Sequence, residues 1–412
     1  MTASDTSTDA GPIAVLGHVC LDLIPDFGEG ETAGLDPGVL IEVGPAHRST
    51  GGAVANTGLA LHRLGVPVRL QGKLGDDLFG REIVRLLGEL GHDLGQSMTV
   101  VDAEHTSYSV VINPPGIDRT FLHCPGANDT FVAGDVDWGR LEGASVVHFG
   151  YPPIMAAIRD DGGAGLRTIF EQARRRGAVT SLDMCGIDPT SPAGQVDWPA
   201  WLTAVLPAVD CFVPSLDETL AMLGRPSAAA TPELLRGVAE ELLGLGASVV
   251  MLKLGEEGVY LRTAADAGKP LSRLKGIEPQ AWGDRELYAP CFEAAVAGTT
   301  GAGDCTIAGF LSALWRGATP AACLRSANAV GACSVEASDA TSAVLGSAGP
   351  LFVEQNFPGA EFADTWYHIA LASRRAGSDL VPDGADLRAR FNSSLNGDPA
   401  CLNGRGWYYG LD

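Results

Sequence analysis

The stretch Gly298-Thr-Thr-Gly-Ala-Gly-Asp304 brings together residue types that could handle a phosphate. Apolar residues follow at Ile307, Phe310, Leu311 and Leu314, the i, i+3, i+4, i+7 spacing of a buried helix that begins at or near Gly303. The glycines then sit at the amino end of that helix. Unpaired N–H groups and the positive end of the helix dipole make an anion site there, and glycine lets the backbone approach a phosphate closely. Asp304 has two readings. It can cap the helix, or it can take the proton of a substrate hydroxyl while the N–H groups at the helix start stabilise charge on a transferring phosphoryl group. Two other phosphate-binding patterns fail on spacing. A dinucleotide fingerprint would need glycine at Thr306, and a Walker A loop needs Gly-Lys-Ser/Thr, which neither Gly72-Lys73 nor Gly268-Lys269 supplies.

Further segments occur in a fixed order along the chain. Gly51-Gly52-Ala-Val-Ala-Asn56 leads into a helix ending Arg63-Leu64-Gly65, and Gly72-Lys-Leu-Gly75-Asp76-Asp77-Leu-Phe-Gly80 follows. With the glycine loop before Asp304, these resemble the signatures of the ribokinase-like (PfkB-type) carbohydrate kinases, and the resemblance spans about Gly11 to Val344. It implies an α/β fold, a doubly wound, mostly parallel sheet flanked by helices with a small β-sheet lid. It also implies ATP-dependent phosphorylation of a hydroxyl of a sugar or sugar-like small molecule, with Mg2+.

By that resemblance Asp304 is the catalytic base and Gly301, Ala302 and Gly303 form the anion hole. Asp22, Gly51, Gly52 and Asn56 fall at sugar-binding positions, and Arg119 sits where a lid arginine is common. The chemistry is coherent: a carboxylate and an amide can pair with adjacent hydroxyls. Asn56 as a helix cap and Asp22 as an ordinary loop carboxylate are the competing readings. Lys253, Gly255, Gly258 and Asn328 match nucleotide-binding positions, and Glu218 matches the acidic residue that helps organise magnesium. Lysine is scarce, occurring only at 73, 253, 269 and 275, which adds weight to Lys253; a strand-end lysine lying along the surface is the alternative. Asp76 and Asp77 read as turn residues, His18 and His148 as packing residues, and Asn128 as either a familiar motif position or a surface group.

Three departures qualify the resemblance. Ser215-Leu-Asp-Glu218 stands where the family has N-x-x-E, so serine replaces the amide. Tyr151 stands where ribose-specific relatives carry a glutamate, so ribose is not implied. Gly298 replaces an aspartate that in many relatives helps hold a potassium ion.

These residues need a scaffold, and the hydrophobic pattern supplies one. Short apolar runs alternate with helical patterns, as in a parallel sheet covered by helices. Strands are expected at Ile13–Leu16, Val146–Phe149, Val179–Leu182, Cys211–Val213 and Val249–Leu254. Ligands of such sheets sit beyond the carboxyl ends of the strands, which directs attention to Asp22, Tyr151, Asp183, Ser215 and Gly255. Extended segments at Val39–Val43 and Ser107–His123, the latter turning at Pro114-Pro115-Gly116, are expected to build the lid. The expected division is a disordered leader over 1–11, a kinase domain over 12–349 with lid strands from about 36–50 and 105–125, and an extension over 350–412. The extension carries Trp366, Tyr367, Trp407, Tyr408 and Tyr409, and it is expected to pack on its own domain or on a second subunit.

Charge and composition narrow the partners. A net charge of −22 repels nucleic acid and anionic membranes, and no apolar run has spanning length. The nine cysteines form no C-x-x-C pair, as expected of reduced thiols in the cytoplasm. A homodimer through the lid is an expectation by analogy with relatives. A nucleoside kinase, a sugar-phosphate kinase and a non-catalytic sugar-binding protein are the alternatives, and the intact loop before Asp304 argues against the last.

Overall fold

Strands buried on both faces form the centre of the fold. The computed structural model describes residues 10–28, 38–114, 120–292, 294–337 and 339–344. Arg119, residues 1–9 of the expected leader and the extension over 350–412, with Trp366, Tyr367, Trp407, Tyr408 and Tyr409, lie outside the described residues.

The strands are β1 (Ile13–Gly17), β2 (Cys20–Asp26), β3 (Gly44–Gly51), β4 (Val68–Gln71), β5 (Lys73–Gly75), β6 (Thr99–Val101) and β7 (Tyr108–Ile112). They continue as β8 (Thr120–Cys124), β9 (Val146–Gly150), β10 (Val179–Leu182), β11 (Cys211–Phe212), β12 (Val249–Lys253), β13 (Val259–Thr263) and β14 (Glu286–Ala289). Eight of them make the main sheet, in the order β14-β13-β12-β11-β10-β9-β1-β4. It is parallel from β4 to β12 and antiparallel at β13 and β14. Ile13 and Val15 join one apolar cluster while Ala14 and Leu16 join the other, and β12 divides Val249 and Met251 from Val250 and Leu252 in the same way. Successive side chains point to opposite faces of a strand, so this alternation buries the sheet between two helical layers.

The helix Ala302–Trp315 begins where the apolar spacing placed it, and Ile307, Phe310, Leu311 and Leu314 all lie in one core cluster. The helix Ala53–Arg63 packs against it, so the two glycine-led signatures, far apart in sequence, meet in space. None of the described helices is long and apolar enough to cross a membrane.

A separate four-stranded sheet has the order β3-β2-β7-β8. Its β7–β8 pair is the expected folded-back segment, antiparallel from Tyr108↔Cys124 to Ile112↔Thr120. Val39–Val43 is not a strand. Pairing with β2 starts only where Gly44 faces Asp26, and among the described residues Val39 and Leu40 are left 53% and 92% exposed. The chain also continues from β1 into the second sheet through β2, which puts Asp22 on a strand and not in a loop. At the other end of β1, the Gly11 carbonyl accepts bonds from Trp315 Nε1 and Ser145 Oγ, both 2.7 Å, so the packed chain already includes the last residue of the expected leader.

Candidate active site

Gly301 caps the helix Ala302–Trp315 with φ +69°, and a Cβ there would come within 2.4 Å of the Ala340 side chain. Only glycine fits both conditions. Of the first helical N–H groups, that of Ala302 donates to the Thr299 carbonyl at 3.3 Å, and the next ones lie before the first in-helix bond, from the Cys305 N–H to the Gly301 carbonyl at 2.8 Å. Lys253, at the end of β12, reaches this place: its Nζ lies 3.5 Å from where a Cβ on Gly303 would be.

Asp304 follows directly and is 2% exposed. Its Oδ2 accepts hydrogen bonds from Asn56 Nδ2 at 3.0 Å and from the Tyr151 hydroxyl at 2.7 Å, and its Oδ1 accepts one from Thr57 Oγ1 at 3.1 Å. Burial pushes the Asp304 carboxyl above its ordinary value, while Tyr151, Asn56, Lys253 and Thr57 pull it back. Asn56 therefore does not act as a helix cap. The helix start at Gly52 has no side-chain cap, and the amide is turned to Asp304 instead.

Lys253 Nζ contacts Asp183 Oδ1 at 2.7 Å, with Asp183 1% exposed at the carboxyl end of β10. Burial opposes the lysine charge, but Asp183, Glu218 and Asp304 offset it and hold Lys253 above its ordinary value. Burial pushes Asp183 upward too, with Lys253 pulling it down. The short contact favours the ammonium–carboxylate form of the pair. Glu218 sits in a capping box: Ser215 Oγ accepts from the Glu218 N–H, and Glu218 Oε2 accepts from the Ser215 N–H. Serine at 215 thus keeps a capping task that an asparagine could also perform.

On the other side of Asp304 lies the junction of the two sheets. A Cβ on Gly51 would fall 2.2 Å from Asp22 Oδ2, so the Asp22 carboxylate rests directly on that glycine. Burial drives the Asp22 carboxyl up to about 6, against hydrogen bonds from Cys20 and Ser109. Gly52 has φ +86° and lies against His18. His18 is held neutral, burial taking its pKa down to about 3, and its Nε2 is 3.3 Å from His123 Nε2 on β8. Asn128 is fully buried and clamps the β1–β2 turn through both the N–H and the carbonyl of Val19. Asp77 caps its helix through the Gly80 N–H and also accepts from the Thr106 N–H, a structural turn role as expected. His148 bonds Ser181 in the core.

Two expected nucleotide contacts have structural work. A Cβ on Gly258 would sit 2.1 Å from the Ala289 carbonyl, and Asn328 Nδ2 donates to the carbonyls of Ala289 and Pro290, both at 2.8 Å. Both residues shape the chain leaving β14, and the Asn328 amide hydrogens are committed there. Gly255, with φ +60°, borders a cavity of about 530 Å³ lined also by Ser215, Asp217, Ser227, Lys253 and Glu257.

Thr57 and the Asp183 contact to Lys253 are site features that motif reading did not supply. Asp183 and Tyr151 carried one signal, their place just after a strand; Thr57 carried none beyond its neighbour Asn56.

The sequence model of the pfkB family carbohydrate kinases matches residues 12–345. The chain belongs to that family. Among pfkB relatives, the 2-dehydro-3-deoxygluconokinase of Bacillus subtilis is 26% identical over 305 residues, covering 73% of this chain and 85% of the relative. The fold is that of the ribokinases. The Arabidopsis thaliana ribokinase complexed with ribose and ATP superposes with a TM-score of 0.61 at 23% identity, over 82% of this chain and 96% of that one. A ribokinase-type structure from E. coli with ATP and Mg2+ gives a TM-score of 0.59 at 21% identity, over 81% and 96%. This chain is thus a pfkB-type sugar kinase.

Proposed function

We propose that this chain transfers a phosphoryl group from ATP to a hydroxyl of a sugar or sugar-like molecule, with Asp304 as the base. One observation carries the reading: a buried carboxylate, held by three donors, stands in the first turn of a helix whose amino end also meets the Lys253 ammonium. Proton acceptor and anion site are therefore adjacent, the arrangement that phosphoryl transfer to an alcohol requires.

The acceptor hydroxyl gives its proton to Asp304 as its oxygen bonds to phosphorus. The N–H groups beginning at Gly301 and the Lys253 ammonium face the negative charge on the transferring group. Asp22 and the backbone of Gly51 and Gly52 hold further hydroxyls of the acceptor. Burial of Asp304 and of its donors keeps water from competing for the phosphoryl group.

The residues also suit the nucleotide and its metal. The cavity beside Gly255 is of ligand size and opens at Lys253. Among the described residues no three His, Cys, Asp or Glu side chains form a ligand set, so a cation here would rest on Glu218 together with water and phosphate oxygens, which is how Mg2+ is commonly held. When bound, Mg2+ supplies charge neutralisation on the phosphates.

The test is ADP release with Mg2+ and ATP over a panel of pentoses, hexoses, polyols, sugar acids, sugar phosphates and nucleosides. A class of sugar that gives turnover abolished by Asp304→Asn supports the proposal. Absence of acceptor-dependent ADP release across the panel, with sugar binding intact, would make the protein a non-catalytic binder.

A further inference from the structure

We propose that Tyr151 is the positioning residue of the catalytic carboxylate, occupying Asp304 Oδ2 so that the acceptor hydroxyl can dock only on Oδ1. The inference rests on the reading of Asp304 as the base. Two independent features of Tyr151 lead to it. The residue leaves β9 with φ +67°, one of three non-glycine residues in the left-handed region among those described, and for a bulky side chain that conformation is unfavourable. From that backbone position its hydroxyl donates to Oδ2 at 2.7 Å, the shortest of the three bonds to the carboxylate. An unfavourable backbone is thus held at the point where the side chain reaches the base.

The remaining step is a count of lone pairs. An ionised carboxylate offers about four acceptor sites, two on each oxygen. Oδ2 is filled by Asn56 and Tyr151, and Oδ1 is half filled by Thr57. A hydroxyl arriving at the base therefore meets one open site, on Oδ1. Without the phenol, Oδ2 would offer a second site, and an acceptor could bind with the wrong oxygen, or the right oxygen in the wrong line. The phenol ring also lies 6.2 Å from the ring of His18, against which Gly52 rests.

The test is Tyr151→Phe, which removes only the hydroxyl, read in two ways. In kinetics, kcat should fall by about 10–100-fold, the usual worth of a hydrogen bond to a charged group, with KM for ATP unchanged. In an infrared titration of the Asp304 carboxyl, identified by its loss in Asp304→Asn, the pKa should rise, because the phenol's donation favours the ionised form. The other groups facing this carboxyl stay in place: Asn56 and Thr57 from the helix Ala53–Arg63, Asp183 from β10, Lys253 from β12 and Cys305 from its own helix. The infrared reading needs no turnover, so it tests Tyr151 even if no acceptor on the panel is phosphorylated, an outcome that would count only against the kinase reading. An unmoved carboxyl pKa overturns the proposal. So does a Phe variant as fast as the parent, or faster, since the phenol would then be idle or competing with the acceptor.

Discussion

Replacing Asp304 with asparagine keeps the shape of the side chain and removes its ability to accept a proton. The surroundings tolerate the amide. With its oxygen at the Oδ2 position it still accepts from Asn56 and Tyr151, and its nitrogen can donate to Thr57 Oγ1, a hydroxyl able to reverse its role. The fold should therefore survive, and the charge balance favours the variant. Burial raises the Asp304 carboxyl above its ordinary value, so its ionised form is less favourable in the folded state than in the unfolded chain. Removing that charge should leave the melting temperature unchanged or raise it. Turnover should move the other way, falling by roughly two to four orders of magnitude, the usual share of general-base catalysis, or about 3–5 kcal/mol on the barrier. The assay is ADP release at saturating ATP and acceptor, paired with a melting curve and the affinity for ATP, which should change little. Near-normal turnover in a well-folded variant would remove Asp304 as the base. A lower melting temperature together with lost turnover would show instead that the carboxylate holds the site together.

Lys253→Met should lower turnover and also destabilise the protein by about 3–5 kcal/mol in a denaturant titration, because Asp183 is left buried without its partner; adding Asp183→Asn should recover stability but not turnover, and recovery of both would make the pair purely structural. Asp22, with its carboxyl raised to about 6, should give kcat/KM for the acceptor an acid limb near that pH, and Asp22→Asn should raise the acceptor KM and erase the limb. The same group should make the fold gain stability as pH falls from about 6 toward the ordinary 3.8, since the native state there binds more protons than the unfolded chain, and a melting temperature that drops over this window would contradict it. Gly298 brings no carboxylate to the loop, and its N–H donates to the Val335 carbonyl at 3.2 Å, so turnover in buffer with only a bulky organic cation should match turnover with potassium added; strong activation by potassium would show that other ligands form the site.

The anion loop, its helix and the family were legible because they depend on local rules. Glycines at a helix start, the spacing of Ile307, Phe310, Leu311 and Leu314, and apolar runs at Val146 and Val249 are short-range patterns, and each element formed where its pattern lay. The second sheet was half legible. The β7–β8 hairpin brings its own partner strand, whereas the fate of Val39–Val43 depended on where β2 ran, and nothing local to that segment records it. Gly258 and Asn328 matched motif positions, and their contacts to Ala289 and Pro290, more than thirty positions away in sequence, could not be read from the motif.

What the sequence by itself determined is the set of reactive types and the helix end that carries Asp304, since backbone geometry and spacing suffice for both. What the tertiary structure decided is which oxygens of Asp304 are taken and by whom. Asn56, Thr57, Tyr151 and Lys253 reach this one turn from a different helix and two different strand ends, separated from it by up to 248 positions along the chain. Contacts of that range have no period and no local signature. They exist only once the sheet is ordered, and the surroundings of the Asp304 carboxylate are set by them.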